Sequence, residues 1–165
     1  MLNFLKGNQQ HDYTLRSPVE GTCVALAEVP DDVFANKIMG DGVAFVWEDD
    51  IVYSPCTGSI VTIASTRHAI GIKSHSGIEM LIHVGLDTVE LDGKGFEVLV
   101  ELRQKVRVGT PLLKIDRQVM KEHQINLITP LIITNSDHYR LTLNHVGQKV
   151  ERGKSVVIEC TKLPL

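Results

Sequence analysis

Aromatic residues are scarce in this sequence, and neither sign of charge dominates it. Phenylalanine, tryptophan and tyrosine make up 5% of its 165 residues, against 43% hydrophobic residues overall. A core must therefore consist mainly of valine, isoleucine and leucine, and the branching of valine and isoleucine suits β-strands. The 17 basic and 20 acidic residues are mixed along the chain and give a net charge of -3. Because this balance lacks a positive footprint for phosphate backbones, we expect no nucleic-acid partner.

Cysteines are few, and long apolar runs are missing. Cys23, Cys56 and Cys160 are far apart and form no Cys-x-x-Cys pair, which favours a reducing, cytoplasmic location over a disulfide framework. No apolar run approaches the roughly 18 residues of a membrane span. Residues 1–6 are too short and too interrupted for a signal peptide. We expect a frayed terminus there, with a peripheral membrane contact as the alternative.

Turn and strand signals alternate at short spacing from Thr14 onward. This pattern predicts an all-β fold, an antiparallel β-sandwich or barrel-like single domain over residues 14–165, after a flexible N-terminal segment over residues 1–13.

Two short helices are predicted within this β pattern. Proline and acids open the first, from Pro30 to Met39, and Gly40 closes it. The second follows Asp116 as N-cap and covers residues 117 to about 124.

Two short segments each occur twice. Residues 17–21 read Ser-Pro-Val-Glu-Gly and residues 54–58 read Ser-Pro-Cys-Thr-Gly. Residues 104–109 and 148–153 share the pattern Gln-Lys-Val-x-x-Gly. Each is typical of a turn followed by a strand, so the sequence predicts two related β halves.

The strand predicted over residues 77–85 carries a histidine on its polar side. Its period of two places Glu79, Leu81 and His83 opposite the apolar row Ile78, Met80, Ile82 and Val84. A histidine in this position, followed by a small glycine, is expected in a shallow depression with one ring nitrogen free to act. The remaining histidines, apart from His68, lie beside turn formers or charges, where solvated surface is expected: His11, His75, His123, His138 and His145.

Residues 81–91, Leu-Ile-His-Val-Gly-Leu-Asp-Thr-Val-Glu-Leu, resemble the phosphohistidine segment of the glucose-class enzyme IIA family of the bacterial phosphoenolpyruvate:sugar phosphotransferase system. Residues 66–70, Thr-Arg-His-Ala-Ile, are similar to that family's second-histidine segment. Residues 29–42 and 129–135 match further stretches in family order. The resemblance extends roughly from Thr14 to Ile158.

The resemblance implies a phosphotransferase component of sugar transport. His83 would accept phosphate on Nε2 from the histidine phosphocarrier protein and pass it to the IIB domain of a sugar permease. His68 would hydrogen-bond the phosphoryl oxygens, and Thr66 would supply the hydroxyl beside it. A cytoplasmic monomer is expected.

The resemblance also implies a docking surface around the two histidines, with apolar residues at its centre and acids that meet basic partner residues at its rim. The alternative for the residues of the short helix is core packing. The predicted docking residues are Asp31, Val33, Phe34, Ile38, Met39, Leu81 and Asp87.

Phosphoryl transfer suits such a site because charge spreads over three equatorial oxygens, so catalysis consists mainly of positioning and of donors aimed at them. With a reference pKa of about 6.5, histidine is largely neutral and nucleophilic at neutral pH. We expect covalent phosphate on His83, no cofactor and no metal in the free protein. A weak zinc site between His68 and His83 is the alternative, because two imidazoles bind divalent metals readily.

Two other functions compete with this interpretation. His83 and Asp87 fit His-x-x-x-Asp of zinc peptidases with a related β fold, but the His-x-His element that completes three ligands is missing. A biotinyl or lipoyl carrier needs a modified lysine in a tight hairpin, whereas Lys121 lies on the second predicted helix.

Overall fold

The computed structural model describes residues 13–164. These residues form short antiparallel strands with two brief α-helices between them. Predictions for residues 1–12, including His11, the terminal segment and its membrane contact, lie outside the described part. The strands are β1 (Thr14–Arg16), β2 (Gly21–Ala25), β3 (Asp41–Trp47), β4 (Ile51–Tyr53), β5 (Gly58–Ile63), β6 (Ala69–Ser74), β7 (Glu79–His83), β8 (Phe96–Val98), β9 (Lys105–Val106), β10 (Pro111–Ile115), β11 (Thr129–Ile133), β12 (Tyr139–Leu143), β13 (Lys149–Val150) and β14 (Val156–Lys162).

The helices are α1 (Asp32–Ala35) and α2 (Arg117–Glu122). The Asp116 carboxylate caps α2 by accepting from two backbone N–H groups, as its sequence predicted. Helix α1 is a single turn and is shorter than predicted, because Lys37 adopts φ 56° and turns the chain out of the helix. Three 3-10 turns cover Leu26–Glu28, Thr88–Leu91 and Ser136–His138. Within residues 13–164, no helix has the length and apolarity needed to cross a bilayer.

The strands form two equivalent sets. The eight-stranded sheet has the order β13-β2-β3-β11-β7-β6-β5-β9, so that β13-β2-β3-β11 and β9-β5-β6-β7 meet at the centre. There are also two three-stranded sheets, β1-β14-β12 and β4-β10-β8, and each belongs to one of these two sets. We name β1–β3 with β11–β14 half one, and β4–β10 half two. The predicted antiparallel β fold with two related halves is confirmed.

The repeated Ser-Pro segments make the same hydrogen bonds in both halves. The Ser17 hydroxyl donates to the Val19 carbonyl at 2.7 Å, and the Ser54 hydroxyl donates to the Cys56 carbonyl at 2.8 Å. The repeated Gln-Lys-Val segments form β13 and β9, which pair with the starts of β2 and β5 in the same register. The two sequence repeats therefore mark equivalent positions of a duplicated architecture.

Reciprocal backbone bonds join the halves. The Arg16 N–H donates to the Pro55 carbonyl at 2.9 Å, and the Tyr53 N–H donates to the Pro18 carbonyl at 3.0 Å. Each half therefore contributes a proline carbonyl, three residues before β2 or β5, to the other half, as an approximate two-fold axis requires.

The main core lies beneath the eight-stranded sheet and is mostly aliphatic, as the composition predicted. The predicted apolar row of β7 faces it: Ile78, Met80, Ile82 and Val84 are each no more than 2% exposed. Because side chains alternate along a strand, Glu79, Leu81 and His83 lie on the opposite, outer face.

A long connection covers the outer face of half one. Residues 26–40, between β2 and β3, place three buried side chains over the sheet. We name residues 26–40 the cover, and its buried contacts the cover cluster. Gly40 lets the cover return to the sheet, because its φ is 137° and a Cβ there would lie 2.1 Å from the Ile133 carbonyl oxygen. The cover cluster consists of Leu26, Val29, Phe34, Ala44, Leu86, Ile128 and Ile132.

The equivalent connection of half two, between β5 and β6, covers only residues 64–68. It is too short to fold over the sheet. The outer face of β7 therefore remains accessible at its carboxyl end.

Candidate functional site

The two histidines predicted from the sequence lie side by side. His83 ends β7 and pairs across the sheet with Ala69, so His68 stands immediately before that pair. The Val84 N–H donates to the His68 carbonyl at 2.8 Å and ties the two backbones together. The ring centroids are 4.7 Å apart and the ring planes meet at 76°. Both side chains can therefore act on one ligand.

The His83 ring presents a defined nitrogen. Its Nδ1 lies 2.8 Å from the Gly85 carbonyl oxygen. A carbonyl oxygen only accepts hydrogen bonds, so Nδ1 carries the proton and donates it. In the neutral ring, Nε2 then holds a lone pair. The side chain is half-buried, which leaves this nitrogen available to a reactant.

The surroundings of His83 favour its neutral form. Burial lowers the pKa of His83, and repulsion by a charged His68 lowers the pKa further. The Gly85 carbonyl and the carboxylates of Asp31 and Asp87 raise the pKa, but the net shift is downward. The His83 ring is therefore mainly neutral at pH 7.

His68 is held by Thr66. The Thr66 Oγ1 lies 2.8 Å from His68 Nδ1, and His68 is only 7% exposed. Burial lowers the pKa of His68. If the Thr66 hydroxyl donates to Nδ1, His68 Nε2 carries a proton and becomes a donor for a bound anion. The predicted trio of His83, His68 and Thr66 is thus brought together.

Most predicted docking residues form a surface beside this trio. Ile38 is 70% exposed, Val33 42% and Met39 37%. Asp87 is exposed, and Asp31 and Leu81 are half-buried. The cover therefore carries exposed apolar side chains, and the carboxylates of Asp31 and Asp87 lie close enough to act on His83.

Phe34 does not belong to this exposed set. Its side chain is 4% exposed and packs in the cover cluster. Its ring centroid lies 4.9 Å from that of His83, with the planes at 57°. In the free protein Phe34 therefore matches the core-packing alternative, and its part in docking stays a prediction.

Two features of the site were missed from the sequence. One is the Gly85 carbonyl that fixes the His83 tautomer, and the other is Thr88, whose side chain is buried behind it. The available signal was the spacing His-x-Gly-x-x-Thr, in which the glycine supplies a positive φ of 79°.

The remaining candidate groups lie elsewhere or are inert. His75, His123, His138 and His145 are exposed, as predicted. Burial raises the pKa of Cys23 to about 11 and that of Cys160 to about 12, so these thiols stay protonated.

The structure also bears on the two competing functions. Lys121 lies on α2 rather than in a hairpin, as the sequence predicted. Among residues 13–164, no group of three or more histidine, cysteine, aspartate or glutamate side chains is arranged to hold a metal ion.

These residues form a paired-histidine site on a duplicated antiparallel β fold. The family model described as phosphoenolpyruvate-dependent sugar phosphotransferase system, EIIA 1, matches residues 13–139. The chain belongs to this family.

Individual relatives agree with this assignment. The PTS system glucoside-specific EIICBA component of Staphylococcus carnosus (strain TM300) is 46% identical over 142 residues. That match covers 86% of this chain but 20% of the relative, so the chain spans about a fifth of that protein's length. The structure of glucose permease IIA from Mycoplasma capricolum superposes with a TM-score of 0.77 at 38% identity, covering 88% of this chain and 93% of that one. Helicobacter pylori Csd3 gives a TM-score of 0.46 at 9% identity, a likeness that carries no argument.

Proposed function

We propose that the protein carries a phosphoryl group on His83 Nε2, taking it from the histidine phosphocarrier protein and passing it to the IIB domain of a sugar permease. The observation that carries this proposal is the hydrogen bond from His83 Nδ1 to the Gly85 carbonyl, at 2.8 Å. It leaves the lone pair on Nε2, the nitrogen that must attack phosphorus. Residues 14–165 would act as one such carrier domain, monomeric and cytoplasmic.

The transfer step needs no base. The Nε2 lone pair forms a bond to phosphorus while the nitrogen–phosphorus bond of the donor's phosphohistidine breaks, and the donor nitrogen keeps the electron pair. The proton stays on Nδ1, where it is hydrogen-bonded to the Gly85 carbonyl, throughout the transfer. In onward transfer this proton makes the His83 ring a good leaving group, because the departing imidazole is neutral.

His68 and Thr66 would stabilise the transferring group. With the Thr66 hydroxyl donating to His68 Nδ1 at 2.8 Å, the Nε2–H of His68 is free to donate to a phosphoryl oxygen. The ring spacing of 4.7 Å supports this role, because it would bring the donor close to a phosphoryl group on His83. A donor fixed before the reaction stabilises transition-state charge without reorganisation.

Partners would dock on the exposed apolar residues of the cover. Val33, Ile38 and Met39 supply area that excludes water, and Leu81 extends it across the sheet. Asp31 and Asp87 lie close enough to affect the pKa of His83, so their carboxylates would meet basic residues of a partner at the edge of the site.

The group on His83 would be covalent phosphate, with no other cofactor. A zinc ion between His68 and His83 would bind only weakly, because two imidazoles provide too few ligands for a structural zinc site. A carboxylate from a partner would have to complete the coordination.

The test supplies labelled phosphoenolpyruvate, enzyme I and the phosphocarrier protein, and maps the label. We expect one acid-labile label on His83, absent from His83→Gln and unchanged in the matched control His75→Gln. Label that resists acid would indicate serine or threonine instead. Normal labelling of folded His83→Gln would show that another residue is the acceptor.

A further inference from the structure

We propose that Thr88 is a positioning residue whose hydroxyl holds the turn after His83, and thereby fixes which nitrogen of the His83 ring is the nucleophile. This inference rests on the proposed function, because it assigns a role within the same site. It concerns a side chain that is fully buried and hydrogen-bonds the residue that follows His83.

The Thr88 side chain contacts the turn through both of its branches. Its hydroxyl donates to the Val84 carbonyl at 2.8 Å. Its Cγ2 methyl would lie 2.7 Å from a Cβ placed on Gly85, so the methyl packs against the glycine itself. The hydroxyl thus holds one peptide group while the methyl limits the conformation of the next residue.

Two consecutive peptide groups are held in this way. In the first, between Val84 and Gly85, the carbonyl accepts from Thr88. In the second, between Gly85 and Leu86, the Leu86 N–H donates to the Asn126 carbonyl at 2.9 Å. Because the C=O and N–H of a planar trans peptide point in opposite directions, this bond aims the Gly85 carbonyl at the other side. That side holds His83 Nδ1.

The direction of the Gly85 carbonyl decides the tautomer of His83. With the carbonyl in place, Nδ1 carries the proton and Nε2 the lone pair. Without it, the imidazole is free to place its proton on Nε2, which removes the lone pair from the nitrogen that faces the partner. Thr88 therefore contributes to reactivity without touching the transferred group.

Two variants separate the hydroxyl from the methyl. Thr88→Val keeps the shape but removes the donor, and Thr88→Ser keeps the donor but removes the methyl. The primary measurement is the ring ¹⁵N spectrum of His83 in the free protein, with no phosphoryl donor present. We expect the Nδ1–H form in the native protein and in Thr88→Ser, and a mixture with the Nε2–H form in Thr88→Val. Phosphorylation of Thr88→Val should be about tenfold slower, as expected for the loss of one buried hydrogen bond.

The control is Thr62→Val, an exposed threonine on β5, which should change neither measurement. Should Thr88→Val fail to fold, Thr88→Cys replaces it, because a thiol is a weak donor. An unchanged Nδ1–H tautomer in the hydroxyl-free variant would overturn the proposal, and so would a Thr88→Ser spectrum as mixed as that of Thr88→Val. If the native protein accepts no phosphate, the proposed function fails, yet the ring spectra still decide the role of Thr88.

Discussion

The two halves of the molecule share one strand order but use the same sheet position differently. In half one, Ile132 on β11 pairs with Gly42 on β3, and the side chain is 0% exposed in the cover cluster. In half two, His83 on β7 pairs with Ala69 on β6, and the side chain is half-buried.

The strand registers establish that these positions are equivalent. Gly21 of the first repeat pairs with Trp47, and Gly58 of the second repeat pairs with Ser74. Moving back along β3 and β6 by the same number of residues reaches Gly42 and Ala69, the partners of Ile132 and His83. The residues that precede these partners are Asp41 and His68.

The length of one connection explains why His83 is accessible while Ile132 is buried. The β2–β3 connection covers its sheet and turns the equivalent position into core. The β5–β6 connection is short, carries Thr66 and His68, and leaves His83 accessible. The candidate site at His83 therefore occupies a sheet position whose equivalent in half one, Ile132, is buried in the core.

The largest effect is expected when each of the two equivalent residues, Ile132 and His83, is replaced by the residue type of the other. Ile132→His should lower the free energy of unfolding by about 3–5 kcal/mol, because it removes buried apolar contacts and buries an imidazole without a partner. His83→Ile should stay within about 1 kcal/mol of the native protein, because the site tolerates an apolar side chain at a half-buried position. Urea unfolding measures both. Equal destabilisation by the two variants would show that the covered and open faces do not differ.

His68→Gln tests the residue that half two has and half one lacks. We expect His83 still to accept phosphate, but onward transfer to the IIB domain to slow by about two to three powers of ten, as for one oriented donor. The matched control is Asp41→Asn at the equivalent position of half one, which should leave transfer unchanged. Single-turnover transfer in each direction is the measurement, with circular dichroism for folding. Native rates in both directions would make His68 a bystander.

We proposed that the exposed side of the cover docks partners for the histidines of half two, and Ile38→Lys tests this proposal. Ile38 is 70% exposed, so the fold should survive, while a charge in the docking surface should slow transfer about tenfold. Val46→Lys is the control, since Val46 is 52% exposed near the far end of β3. Transfer rates at several partner concentrations separate binding from chemistry. Equal effects of the two lysines would remove Ile38 from the docking surface.

The pH dependence of stability should be the smallest effect, and it should come from half two. Folding lowers the pKa of His68 and of His83, so the unfolded chain binds more protons once the pH falls below its own histidine pKa, about 6.5. The contribution is therefore complete above that pH and is lost on acidification through the lowered pKa values. Asp31 and Asp87 oppose this shift at His83 without reversing it.

The measurement is urea unfolding at a series of pH values that spans about three pH units around the histidine pKa. The double variant His68→Gln/His83→Gln should lose less stability on acidification than the native protein. An identical pH profile would show that neither histidine is perturbed by folding.

Much of the fold could be predicted because local patterns decide it. The alternation along β7 fixed the direction of His83, the Asp116 cap fixed the start of α2, and the repeated Ser-Pro segments occupy equivalent turns. Each of these depends on neighbouring residues only.

The remaining features depend on contacts between distant parts of the chain. Phe34 is buried because the cover packs against β11 and Leu86. The sequence pattern within residues 30–40 does not predict that contact. The peptide after Gly85 is likewise held by a distant residue, since the Leu86 N–H donates to the Asn126 carbonyl. The left-handed Lys37 that shortens α1 likewise carries no local signal, since lysine is an ordinary helix former.

In the sequence, half two lies between the two segments of half one, and this order has a consequence for biosynthesis. Half two is contiguous and ends with β10 at Ile115. Among the strands of residues 13–164, β1 pairs only with β14, which begins at Val156. A chain that emerges from the ribosome at about 5–20 residues per second can therefore pair every strand of half two seconds before β1 has anything to pair with. The half that carries the two histidines is the first that the nascent chain can assemble, and half one closes around it afterwards.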